Sequence, residues 1–269
     1  MILYKYESTG NDFLITKGLL ENPQKTAIKA CDRHFGIGAD GLLIALPSEK
    51  ADVKMLYYNS DGSIAPMCGN GLRAFTHFVY TNNMVRHSGF NVETDAGILT
   101  VNMDSNNQIS IGLGKPIFNL NEADMIEPIK QFQHIKLDIS ENTILMYPIV
   151  MGTLHGVVFV EDLNTIDIDY LGEALCCHQR FPNHINVNFV QVVDETHVEV
   201  ITYERGAGRT LSCGTGVSAS SVVAHLLGKT QSNVHVKVPG GNLEVDLSDT
   251  VNLKGPTNLI GIIDYRGGL

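Results

Sequence analysis

Short runs of alternating apolar and polar residues mark the chain, and two of them lead into a cysteine followed by glycines. Val53, Met55 and Tyr57 share one face of a predicted strand ending at Asn59, and Val198, Val200 and Thr202 share one face of another ending at Glu204. A turn follows each strand, then Cys68-Gly-Asn-Gly71 or Cys213-Gly-Thr-Gly216. Past the glycines the period changes. Leu72, Ala74, Phe75, Phe78 and Val79, and in the second copy Val217, Ala219, Val222, Val223, Leu226 and Leu227, spread apolar side chains over more than one helix face. Such helices are enclosed by other structure.

The two cysteines stand 145 residues apart, 213 minus 68, and this offset with small gaps also brings Val92–Val101 onto Val236–Val245 and Gly114-Lys115-Pro116 close to Lys254-Gly255-Pro256. The sequence therefore contains a duplication, and 269 residues suffice for two domains of ordinary size. The expected halves are 1–117, completed by a C-terminal strand within 258–269, and 118–257.

Between these landmarks the pattern predicts strands at 2–6 and 13–16, separated by a turn over Ser8-Thr9-Gly10-Asn11-Asp12. Asn22-Pro23 opens a helix with Ala27, Ile28 and Cys31 on one face. The glycine-rich loop Arg33–Gly41 enters an apolar strand, Leu42–Ala45; lacking the lysine of a Walker motif and preceding a strand, it is not a phosphate loop. Alternation from Phe90 to Leu113 supplies further strands. Variable polar sequence opens the second half. Then come a strand at Tyr147–Met151, a turn over Gly152–Gly156, and a strand at Val157–Val160. Ile166, Tyr170, Leu171, Ala174 and Leu175 have helical spacing, which sets Cys176 and Cys177 near a helix end, and strands are expected at His184–Val193 and Ile260–Tyr265.

Composition narrows the function. A net charge of −10 without a basic run argues against nucleic acid as a partner. No stretch reaches the roughly 18 to 20 apolar residues of a membrane helix, and the N-terminal residues lack the regions of a signal peptide, so the expected location is the cytoplasm, with no membrane partner. Five cysteines in a reducing compartment do not make a disulfide framework. Cys176-Cys177-His178 lacks the separated pairs of a zinc site, and no metal is expected.

What remains is thiol chemistry. A helix N-terminus offers N–H groups and a favourable dipole to an anion, whether a thiolate or a bound carboxylate. A Cys-His nucleophile gives no reason for a second cysteine, and a redox pair usually lies close in sequence. A pair of thiols can instead work as acid and base on opposite faces of one carbon, swapping roles with the direction of reaction.

Here the chain resembles the diaminopimelate epimerase family, cofactor-independent amino-acid epimerases with two catalytic cysteines. The likeness is carried by Gly10-Asn-Asp-Phe13, Gly36-Ile-Gly-Ala-Asp-Gly41, Asn59-Ser-Asp-Gly-Ser63, Cys68-Gly-Asn-Gly71 with Arg73, Glu204-Arg-Gly-Ala-Gly208, Cys213-Gly-Thr-Gly216 and Pro239-Gly-Gly241. It implies an α/β (α+β) fold of two pseudo-symmetric halves, each a curled, mixed or mostly antiparallel sheet around a central helix, with an amino-acid substrate in the cleft between them and a homodimer as the assembly.

The resemblance further implies that Cys68 and Cys213 transfer protons, that backbone at Gly69, Asn70, Gly214 and Thr215 holds the reacting carboxylate, and that Asn11 contacts substrate. By the same likeness Asn59, Asn186 and Arg205 bind the far end, Glu204 receives the ammonium and tunes a thiol, and His155 influences the other. The expected activity is conversion of LL- to meso-diaminopimelate without a cofactor, supplying lysine and peptidoglycan precursors. Two departures stand out. Thr153-Leu154 replaces the family's usual Asn-Pro before the histidine, and Arg209 stands where an acidic residue is usual. A racemase of another amino acid such as histidine, and a silent small-ligand binder, are the alternatives; keeping Asn59, Asn186, Glu204 and Arg205 favours diaminopimelate.

Overall fold

The computed structural model describes residues 1–267; Gly268 and Leu269, the end of the expected C-terminal segment, lie outside the described residues. The chain forms two compact units, 1–112 with the chain from 254 onward, and 113–253.

The first unit opens with an antiparallel hairpin, β1 (Ile2–Ser8) and β2 (Asn11–Lys17), in which Ser8 lies opposite Asn11. Only Thr9 and Gly10 form the turn, both at positive φ (50° and 88°), so the expected five-residue turn is too wide: Ser8, Asn11 and Asp12 are strand residues. Helix α1 (Pro23–Cys31) starts as its sequence dictates, with Asn22 accepting from the N–H of Lys25 at 3.1 Å. Its buried stripe is Thr26, Ala27, Ala30 and Cys31. Ile28, expected on that face, is 50% exposed, because it lies a hundred degrees round the helix from Ala27 and rests over Gly62.

β3 (Gly41–Leu46) joins β2 in parallel and β4 (Val53–Asn59) antiparallel, and its near-continuous apolar sequence is buried on both faces. The short β5 (Ile64–Ala65) leads into α2 (Gly69–Thr81). Beyond it, β6 (Gly89–Thr94), β7 (Gly97–Met103) and β8 (Ile109–Gly114) form a meander, with β6 parallel to the start of β4. The sheet residues of β1, β2, β3 and β7 pack on α2, whose Leu72, Ala74, Phe75, Phe78 and Val79 are fully buried.

The second unit repeats this order. β10 (Asn142–Met151) and β11 (Thr153–Phe159) form a hairpin, β12 (Asn186–Val192) runs parallel to β11, and β13 (His197–Glu204) is antiparallel to β12. β14 (Gly208–Thr210) precedes α4 (Gly214–Leu226), and β15 (Asn233–Val238) lies parallel to β13 and antiparallel to β16 (Gly241–Asp246). Serines on α4 suit a buried helix because Ser218, Ser220 and Ser221 return their hydroxyls to carbonyls four residues back. The strand β17 (Val251–Gly255) leads out of the unit, and β18 (Asn258–Asp264) pairs antiparallel with β1, Leu3 opposite Ile263.

Three expectations for this unit change. The turn over Gly152–Gly156 reduces to Gly152, at φ 72°, since Met151 already pairs with Thr153. The polar opening segment holds an additional hairpin of β9 (Ile135–Ile139) with β10. Its Ile135, Leu137 and Ile139, with Leu120, Met125 and Ile129, join a core that includes Leu175, Val187 and Phe189. Helix α3 (Ile168–Cys176) starts only after Asp167, which caps Tyr170 at 3.0 Å, so Ile166 precedes it and Tyr170 is exposed.

Candidate active site

The repeated strand, turn and buried helix put each cysteine at a helix N-cap. Cys68 (φ −140°, ψ 125°) precedes Gly69 of α2, and Cys213 (φ −126°, ψ 106°) precedes Gly214 of α4. The first intrahelical bonds are Leu72 N–H to Cys68 carbonyl and Val217 N–H to Cys213 carbonyl, both 2.8 Å. The amides of residues 69–71 and 214–216 thus belong to the first helical turn, whose N–H groups point out of the helix and favour an anion. Neither cysteine spends its side chain on capping. The second glycine of each motif is a packing requirement. A Cβ on Gly71 would stand 3.2 Å from the Phe13 ring, and one on Gly216 would lie 2.2 Å from Asn188 Oδ1.

In the first unit Asn11, Asn70 and Cys68 come together. The Cys68 thiol donates to Asn11 Oδ1 at 3.7 Å, and Asn70 Nδ2 reaches the same oxygen at a long 3.5 Å. Arg73, one and a half turns into α2, is fully buried, donating from Nη2 to Thr9 Oγ1 at 2.9 Å and from Nε to the Pro256 carbonyl at 3.3 Å. Its Nη1 has no hydrogen-bond partner. Burial pulls the guanidinium down to about 10, against the attraction of Cys68 and then Glu7. Asn59 hydrogen-bonds within its own turn, Nδ2 to Ser63 Oγ at 2.9 Å.

The second unit gathers more. Cys213 lies 3.6 Å from Thr215 Oγ1, which is 3.0 Å from His155 Nε2; the same nitrogen is 3.1 Å from Thr153 Oγ1. On the ring's other side Asn188 Nδ2 faces Nδ1 at 3.2 Å, while Asn188 Oδ1 accepts from Thr202 Oγ1 at 2.9 Å. Asn188 is thereby the donor to Nδ1, so the ring proton sits on Nε2. His155 is fully buried, and burial followed by the charge of Arg205 pushes it down to about 3. It is neutral at physiological pH.

Burial raises the Glu204 carboxyl, while hydrogen bonds from Thr210, at 2.8 Å, and from Cys213 oppose the rise. Asn186 donates to Thr153 Oγ1 at 3.1 Å and accepts the Arg205 N–H at 3.0 Å. Arg205 Nη1 donates to the Asn183 carbonyl at 3.1 Å, and Arg205, Thr153 and Asn183 help line a cavity of about 270 Å³. Cys213 is not among its lining residues.

Sequence reasoning assigned no role to Asn188, Arg73 or Asp40, which touches Asn11. For Asn188 a signal existed: two residues beyond Asn186, it shares that residue's face of β12. Among the described residues no three His, Cys, Asp or Glu side chains gather to hold a metal ion, and no helix is long and apolar enough to cross a membrane.

Solved structures share the fold. The chain superimposes, at 14% identity and TM-score 0.71, on a probable proline racemase from Agrobacterium radiobacter, covering 99% of this chain and 93% of that one. A hydroxyproline epimerase from Agrobacterium vitis gives TM-score 0.69 at 15% identity, covering 98% and 91%. The chain shares its fold with these two enzymes. Sequence narrows this further. The diaminopimelate epimerase family model matches residues 3–119 and 147–259. The diaminopimelate epimerase of Carboxydothermus hydrogenoformans is 37% identical over 97% of both chains, and that of Alkaliphilus metalliredigens 36% identical over 94% of this chain and 93% of its own. The chain belongs to the diaminopimelate epimerase family and is an isomerase.

Proposed function

We propose that this isomerase interconverts LL- and meso-2,6-diaminopimelate through a two-base reaction in which Cys68 and Cys213 carry the protons and no pyridoxal cofactor takes part. The observation that carries the reading is that each cysteine sits at the N-cap of a repeated buried helix with its thiol left out of capping. One cysteine, as thiolate, takes the proton from the substrate α-carbon. The electron pair left behind spreads into the adjacent carboxylate, and the other cysteine, as thiol, gives a proton to the opposite face. Each turnover therefore exchanges the protonation states of the two sulfurs.

Amides of Gly69, Asn70, Gly214 and Thr215 stabilise the charge that grows on the carboxylate. Asn11 and Asn59 contact substrate, and Asn186 and Arg205 receive the distal end, a role that the cavity lined by Arg205, Thr153 and Asn183 supports. Glu204 takes the ammonium group and, by accepting from Cys213, tunes that thiol. His155 acts, through Thr215, on this same Cys213 and not on the other thiol as the resemblance implies. The product feeds lysine and peptidoglycan precursors, and we place the enzyme in the cytoplasm. A homodimer is the proposed assembly, supported by exposed Ile260 and Ile262 on β18, and sedimentation of the purified chain tests it.

Purified protein incubated with LL-diaminopimelate in deuterated water tests the chemistry. Deuterium should enter the α-carbon of the meso product, unaffected by chelator or carbonyl reagents. Cys68→Ser and Cys213→Ser should each reduce epimerisation by at least about a hundredfold while keeping the fold. Near wild-type turnover in either variant overturns the two-base assignment. Activity on histidine, proline or lysine in preference to diaminopimelate would move the substrate to the racemase reading that Thr153 keeps open.

A further inference from the structure

The side-chain amide of Asn11 meets three groups in the first unit. Its nitrogen hydrogen-bonds Asp40 Oδ2, and its oxygen accepts from the Cys68 thiol at 3.7 Å and from Asn70 at 3.5 Å. A half-turn about the last side-chain bond exchanges amide nitrogen and oxygen, so what Cys68 meets depends on which end a neighbour pins. A carboxylate can only accept and takes the NH2 end.

We propose that Asp40 is a positioning residue: it locks Asn11 with its carbonyl oxygen on the Cys68 thiol and so favours the protonated form of that cysteine. Asp40 is itself held on several sides. Arg33 Nη2 lies 2.7 Å from Oδ1, the Asp12 N–H donates to Oδ2 at 3.0 Å, and the Asp40 N–H donates to Asp12 Oδ1 at 3.1 Å. Burial alone would raise Asp12, but hydrogen bonds from Arg33 and Lys5 hold it at about 2. Lys5, Arg33, Asp12 and Asp40 thus form a braced charged cluster whose output toward the thiol is an uncharged amide oxygen.

From the helix side Cys68 feels the buried Arg73 cation, with Glu7 acting on that same cation. Arg73 favours thiolate and the Asn11 oxygen favours thiol. A group that must take a proton in one direction and give it in the other needs both forms within reach, and the opposed contacts keep them so. This catalytic consequence rests on the two-base reading, but the placement of Asn11 does not.

Alkylation of Cys68 by iodoacetamide, followed by mass spectrometry on the full-length protein across pH, reads the thiol without turnover. Asp40→Asn frees the Asn11 amide to turn its NH2 to sulfur, and the alkylation midpoint should fall by about one pH unit. Removing the Asp40 charge acts through space in the same direction, so the substitution is repeated on Asn11→Ala. There the shift should drop to less than about a third. An unchanged midpoint in Asp40→Asn, or an equal shift in both backgrounds, overturns the proposal. Should Asp40→Asn not fold, a crystal structure of the unaltered protein at better than about 1.2 Å decides by locating the amide hydrogens, and Asn11 oxygen facing Asp40 would refute it. The failure of alkylation to respond leaves the epimerase reading standing, and loss of epimerisation alone leaves this one standing.

Discussion

At the mouth of α2 the first residue of the second hairpin strand is Asn11, opposite Ser8; at the mouth of α4 the same place, opposite Met151, holds Thr153. Phe13, paired with Gly41 in parallel register, has His155, paired with Asn186, as its counterpart. Applying the 145-residue offset, Asn59 maps to Glu204, Asn70 to Thr215 and Arg73 to Ser218. The first copy therefore surrounds its thiol with amides and a buried cation, and the second with hydroxyls, a neutral imidazole and a carboxylate. Duplication preserved the backbone that presents each cysteine, while the side chains around the two sulfurs differ in charge and in hydrogen-bonding type. A shared frame with opposite neighbouring charges suits a reaction in which one group starts as base and the other as acid.

The comparison breaks first at the glycines. Asn188 cannot yield to a Cβ on Gly216, because Thr202, His155 and the Gly156 carbonyl fix its amide, so Gly216→Ala should lower the unfolding free energy by about 1–3 kcal/mol in urea titration. Gly71→Ala meets the edge of Phe13 closely and Leu43 at ordinary contact distance, and the gain in helix propensity of up to about 1 kcal/mol offsets most of the strain. Equal losses in the two variants would mean that the second copy is packed no more tightly than the first. Next in size is Arg205→Ala, expected to lower kcat/KM for diaminopimelate by about tenfold to a hundredfold, or roughly 1.4–2.8 kcal/mol, since the proposed binding of the distal carboxylate would lose its charge-assisted contact. A harmless Arg205→Ala would point to a substrate without a distal carboxylate.

His155 gives a smaller effect with a defined sign. Its folded value of about 3 lies below the unfolded 6.5, so it contributes stability above about pH 6.5 that disappears as pH falls toward 3. Within that window wild type should lose up to about 1.4 kcal/mol per pH unit more than His155→Gln, measured as the difference in unfolding free energy. Parallel pH profiles would show that the imidazole is not kept neutral. The smallest expected change is Thr153→Asn, which copies the amide of Asn11 into the second unit and should move kcat/KM by less than about tenfold. A change larger than that of Arg205→Ala would give position 153 more control over substrate than Arg205 has.

The helix mouths were legible because a duplication lets the sequence be compared with itself: the apolar runs after Cys68 and Cys213 coincide with α2 and α4, from Gly69 and Gly214 onward. The β9–β10 hairpin was not, although Ile135, Leu137 and Ile139 alternate, since the surrounding polar residues mask three buried positions. Arg73 illustrates another limit. A charge on a helix suggests a solvated position, and only the tertiary fold reveals that it is buried against Thr9 and Pro256. Asp40 lies 29 residues from Asn11, in a glycine-rich loop without periodicity, so nothing local in the sequence pairs them.

The strand that pairs with β1 also fixes an order of assembly during synthesis. Residues 113–253 are continuous and leave the ribosome as one piece, whereas the other unit waits for the chain beyond 254. Until then Leu3 has no Ile263 across from it, the amino terminus lacks the Tyr265 carbonyl it binds at 2.8 Å, Ser8 lacks Thr257, and Arg73 lacks the Pro256 carbonyl. The half made first is thus finished last. In the interval the nascent chain carries an unpaired β1 edge, the kind of surface on which chaperones act and neighbouring chains aggregate.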